Sequence, residues 1–135
     1  MIVAVKSAGS ARCLEILSHL VIAEREWFER LYGKSSSGVD FWPTLTVEEC
    51  GAKARENAES YERLLRRFEE EGLDIRCRYV NSSGKQFENT FREALTHVVM
   101  HSAIHRGNIA AKLRDEGFAP PQTDYIIYLR ETKYI

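Results

Sequence analysis

HVVMHSAIHRGNIAAKLRDEG, residues 97–117, decides how this chain folds. At about 100° per residue, Val98, Val99, Ile109 and Leu113 gather on one arc with Phe91, Ala94 and Leu95 just upstream, so the stretch reads as an amphipathic helix. The spacing predicts a helix from about Asn89 to Glu116, stopped by Gly117 and by Pro120 and Pro121. The same stretch carries His97, His101 and His105, three of the chain's four histidines, each one turn after the last. His101 and His105 therefore point the same way and can clamp one ion through imidazole nitrogens at about 2.0–2.1 Å. His97 and His105 cannot share an ion, because the residues between them rise about 12 Å. His105 falls about 40° inside the apolar arc from His101, and His97 about 40° outside it, so helical phase prefers the pair His101 and His105. His97 is expected to be structural or to face solvent.

Two further long helices precede this one. Ser10 opens a helix over residues 10–32 that Gly33 stops, and Leu14, Ile16, Leu17, Leu20, Val21, Ala23, Trp27, Phe28 and Leu31 share one half of its wheel. That half must face a core. The Gly/Ser loop 33–43 ends on an aromatic anchor, "FWP", and Pro43 disfavours helix before it. Thr46 and Glu49 then fit a capping box for a helix running to about Glu71 before Gly72. Its stripe of Val47, Cys50, Ala54, Tyr61, Leu64, Leu65 and Phe68 is narrow, which places it on the outside of a bundle. "LDIRCRYV", residues 73–80, alternates Leu73, Ile75, Cys77 and Tyr79 against polar neighbours, and "NSSG" turns into "KQFEN", so a small hairpin is expected. The tail "TDYIIYLRE" is expected to pack back on the bundle. Three long helices with short connections argue an all-α, antiparallel helical bundle, read as one domain over residues 1–135.

Bulk properties narrow the function. A net charge of −1, with a pI near 6.4, leaves no positive surplus to draw the chain onto nucleic acid or an anionic bilayer. The opening MIVAV run is too short for a signal peptide, and no stretch approaches the roughly 20 apolar residues of a membrane span. Cys13, Cys50 and Cys77 form no C-x-x-C pair and read as free, buried thiols in a reducing compartment. A cytoplasmic protein with neither a nucleic-acid nor a membrane partner is expected.

Histidine chemistry needs a third ligand. His19 stands on the first long helix beside Ala23, at the edge of its apolar face, and a bundle can bring it across to complete a three-histidine site. Two readings of the spacing stay open here: metal ligands, or histidines satisfied by core partners. Glu24 and Arg106 fall in the middle of apolar arcs on their own helices, where unpaired charge is costly. The simplest expectation is that they meet as a buried ion pair that fixes helix register. The alternative is that Glu24 is itself a ligand or a general base.

"GSARCLEILSHLVIAEREWFERL" with "FWP", "YVNSSGKQFE" and "HVVMHSAIHRGNIAAKLRDEGFAPPQTDYIIYLRE" resembles the DinB/YfiT-like metalloenzyme family over about residues 8–131. The most specific part is H-x-x-x-H-R-G-N followed by an apolar helix and G-x-x-P-P-x-T-D. The resemblance implies a four-helix bundle in which His19, His101 and His105 hold a divalent metal. The family's name records damage-inducible expression, and characterised relatives include transferases and isomerases that use low-molecular-weight thiols such as bacillithiol or mycothiol. Members usually begin with another helix ahead of the segment that opens at Gly9, and only nine residues precede Ser10 here. Either the start is shortened, or the bundle is completed otherwise. A bundle short of one helix exposes an apolar groove, so a homodimer that covers it is expected.

These readings add up to a metal-dependent enzyme with a three-histidine site, binding Zn²⁺ or Ni²⁺ and acting on a small-molecule substrate such as a low-molecular-weight thiol. Arg106, Asn108 and Asp124 are expected around the metal or in structural roles. The rival expectation is a non-catalytic metal-binding or stress-related interaction protein whose site is structural or has decayed.

Overall fold

A computed structural model describes residues 1–133, the side chains of Glu70 and Lys133 excepted. Its elements, in chain order, are α1 (Ile2–Ala8), α2 (Ala11–Leu31), α3 (Val47–Glu71), β1 (Arg76–Val80), β2 (Gln86–Thr90), α4 (Phe91–Asp115) and α5 (Tyr125–Lys133). The molecule is thus mostly helical, with one small antiparallel hairpin.

Local chemistry explains where the long helices start. The Ser10 hydroxyl accepts from the Cys13 amide at the head of α2. Thr46 with Glu49, and Thr90 with Glu93, each form a reciprocal capping box. The second of these starts α4 at Phe91, directly on the end of β2, instead of at the Asn89 expected. Asn81 Oδ1 ties the hairpin turn by accepting from the Ser83 and Lys85 amides. Gly84, with φ of 80°, adopts the left-handed conformation the turn needs. Cys77 and Tyr79 face inward from β1, as the alternation predicted.

Contacts fix the helix directions, and they correct the expectation of an antiparallel bundle. Along α2, Ser18 meets Cys50, Val21 meets Asn57, and Glu24 meets Tyr61, so α2 and α3 run the same way. Cys13 meets Ile109 and His19 meets His101, so α4 runs against α2. The reason lies in residues 32–46. An extended chain of that length spans up to about 50 Å, longer than the roughly 31 Å of α2, and so carries the chain back to the start of α2. Ser36 anchors this crossover midway, its amide donating to the Val80 carbonyl at 2.9 Å.

The core has two parts. One gathers Val5, Cys13, Ile16, Leu17, Leu20, Val21, Cys50, Ile109 and Leu113; the other gathers Leu31, Leu64, Phe68, Cys77, Tyr79, Phe91 and Ala94 around the hairpin. All three cysteines are free and buried. Val5 shows that the stretch before Ser10 is not bare: Ile2–Ala8 forms a short helix ended by Gly9, with φ of 62°. So few residues make a marginal helix alone, and it is the burial of Val5 in the first core cluster that holds this one.

Two expectations for the periphery change. Leu65, assigned to the α3 stripe, is 47% exposed. The tail forms α5, but Tyr125, Ile126 and Tyr128 stay exposed, with only Ile127 and Leu129 half-buried. Instead of packing flat, α5 borders a cleft of about 880 Å³ shared with Met1, Val99, Ala103 and Arg106. No helix among the described residues is long and apolar enough to cross a membrane.

Candidate metal centre

His19, on α2, and His101 and His105, one turn apart on α4, come together because α2 and α4 run in opposite directions with these positions at the same level. His101 Nε2 lies 3.2 Å from His19 Nε2 and 3.2 Å from His105 Nε2. Nitrogens bound tetrahedrally to one ion at 2.0–2.1 Å lie about 3.3 Å apart, so the spacing fits a shared divalent cation. Among the described residues this is the one group of three potential ligand side chains so placed.

His19 is oriented from outside. Its Nδ1 lies 2.7 Å from the Phe41 carbonyl, which can only accept, so Nδ1 donates and the Nε2 lone pair faces the other two rings. Trp42 stacks flat on the same imidazole, with centroids 3.8 Å apart and 5° between the planes. Both residues come from the crossover, where the sequence marks only an aromatic anchor. Their proximity to Pro43 was visible, but a carbonyl has no side-chain signature. His105 Nδ1 is buried without a partner.

The electrostatics favour neutral rings at His101 and His105, the form in which imidazole binds a cation. Burial, then the neighbouring His105, His19 and His97, bring His101 down to about 4. Burial and His19 lower His105 in the same direction. Three imidazoles add no negative charge of their own, so a divalent ion held there keeps its +2.

The other candidates lie elsewhere. His97 is outside the cluster, its ring 5.5 Å from that of His101 and 4.9 Å from Trp27, as helical phase predicted. Glu24 is not among the clustered ligands, and it does not form the expected ion pair with Arg106. Its carboxylate instead accepts from Ser102 Oγ at 2.9 Å and from Asn57 Nδ2 at 3.4 Å. Ser102 and Asn57 sit on the buried faces of α4 and α3 and reach Glu24 first, while Arg106 turns into the cleft beside α5. In the sequence both stand as polar breaks on helix faces, a signal that does not name their partner. Burial raises Glu24's carboxyl, with Ser102, Asn57 and the more distant Arg106 opposing. Asn108 is exposed. Asp124 is exposed too, and its carbonyl starts α5 by accepting from the Ile127 and Tyr128 amides.

The sequence model of the DinB family matches residues 4–134. The chain belongs to the DinB family. It is 36% identical over 124 residues to Protein DinB of Bacillus subtilis (strain 168), an alignment covering 87% of this chain and 72% of that protein. No solved structure matches it. Within the DinB family assignment, the histidine cluster is compatible with a metal-binding protein.

Proposed function

We propose that the chain is a metal-dependent enzyme of the DinB family, acting as a thiol-dependent transferase or isomerase in the cytoplasm, with His19, His101 and His105 as the ligands of Zn²⁺ or Ni²⁺. The observation that carries this reading is the convergence of the Nε2 atoms of His19 and His105 on that of His101, each at 3.2 Å, with His19 pinned by Phe41. A divalent ion in that position supplies a Lewis acid that holds a low-molecular-weight thiol in its thiolate form at neutral pH. The chain's own part is orientation. Phe41 and Trp42 fix the plane of His19, and the helical turn fixes His101 against His105. Burial favours the unprotonated form of His101 and His105. Trp42, 44% exposed, covers one side of the cluster by stacking on His19.

A second reading, a non-catalytic metal-binding protein, is favoured by one observation: His105 Nδ1 lacks the outer hydrogen bond that usually steadies a ligating imidazole. Activity separates the two. Thiol transfer to a small electrophile that chelator abolishes and zinc or nickel restores supports the enzyme; metal retention without transfer across a panel of thiols supports the second. Elemental analysis and calorimetric metal titration test what both share. His101→Ala should lose binding by more than the 10–100-fold typical of removing an outer partner. His97→Ala should bind as the parent does. Equal affinity in His101→Ala and the parent overturns the site.

A further inference from the structure

Arg30, in the last turn of α2, is 6% exposed, and among the described residues no carboxylate forms a salt bridge with it, Glu26 one turn back acting on its charge only at longer range. Its Nε donates to the buried Ser36 Oγ at 2.9 Å. Neither terminal nitrogen donates to a protein atom among the described residues, and neither is sealed from solvent. Three aromatic rings surround the guanidinium instead: Trp27 at 4.6 Å, Phe41 at 5.3 Å and Tyr79 at 5.3 Å. Such contacts are worth about 0.5–2 kcal/mol each and offset only part of the cost of burying a cation. A guanidinium fixed at one end and walled by rings, with its terminal nitrogens undonated, is placed to take an anion.

Its position ties it to the histidines. Arg30 lies almost on the same face of α2 as His19, three turns or about 16 Å further along, and long helical side chains lean back toward the helix start. Two contact paths join them. Phe41 packs under Arg30 through its ring and holds His19 through its carbonyl. Trp27 lies between Arg30 and His97, and His97 stands beside His101.

We propose that Arg30 anchors the carboxylate of the small molecule that works at the three-histidine centre, with Trp27 and His97 flanking the path between. A planar carboxylate matches the free two-nitrogen fork, whereas a phosphate dianion takes several converging donors. The histidine end of this path rests on the metal reading above; the Arg30 end does not.

Benzoate and benzamide titrated into the protein, with and without zinc, test the anchor. The nitrogen–proton resonances of Arg30 Nε and the Trp27 indole are the readouts. Benzoate should shift both saturably, benzamide should not, and Arg30→Gln should weaken benzoate at least tenfold while Arg30→Lys retains part of the affinity. If the variants do not fold, the parent alone decides: no saturable shift up to about 20 mM benzoate overturns the anchor. Inorganic phosphate moving the same resonances at lower concentration than benzoate overturns the carboxylate assignment. Zinc binding measured alongside keeps the failures apart. Zinc bound without benzoate sinks the anchor alone, and benzoate bound without zinc sinks the metal reading while the anchor stands.

Discussion

Single residues set how the centre responds to acid. His101 titrates near 6.5 when unfolded and about 4 in the fold. Between those values the unfolded chain binds the extra proton, so the metal-free protein should lose stability as pH falls from about 6.5 toward 4. Glu24 acts oppositely: its raised carboxyl is costly when ionised, so protonation on acidification favours the fold. Denaturant midpoints at pH 7, 5.5 and 4.5 should therefore fall more steeply in Glu24→Gln than in the parent, and more gently in His101→Ala. A slope unchanged in His101→Ala would remove that histidine as the cause. The meeting of His101 with His105 was legible at this scale, because helical rise and phase are local arithmetic. Glu24's partners were not: a wheel shows that a charge faces the core, but not which polar neighbour on another helix reaches it first.

Elements were legible where their ends carry chemistry. Ser10 and the Thr46/Glu49 box gave correct starts, and the Thr90/Glu93 box was present in the sequence with the same signature. Replacing Thr90 removes an acceptor for the Glu93 amide at the junction of β2 and α4, where strand and helix share a residue. Thr90→Ala should cost about 0.5–2 kcal/mol in chemical denaturation, and Thr90→Ser much less. A loss below a few tenths would show that packing alone places the start of α4. Helix direction was not legible. Periodicity is the same whichever way a helix runs, and only the reach of residues 32–46 allows α3 to lie parallel to α2.

For the whole molecule, α4 presents Val99, Met100 and Ile104 to solvent, each at least 60% exposed, beside Tyr125, Ile126 and Tyr128 of α5. Tyrosines carry about 150–250 Å² each, so this face approaches the roughly 800 Å² that each partner gives to a stable interface. A homodimer through the α4–α5 face is the proposal that follows, although the reason differs from the one drawn from sequence: the apolar surface is the outer side of α4, and Ile2–Ala8 already forms a helix against α2 and α3. Light scattering at micromolar concentration should give twice the chain mass, and Ile104→Glu should halve it. A parent that is monomeric under those conditions sinks the dimer.

The crossover has one more consequence. Because it carries Phe41 and Trp42, the strap that makes α2 and α3 parallel is also the latch on His19, so chain topology and ligand orientation cannot vary independently. Loosening the strap anywhere between Ser36 and Thr46 frees the imidazole to turn, and a cation that holds the imidazole in turn holds the strap shut. A metal captured there would thus act as a clasp on the longest connection in the fold.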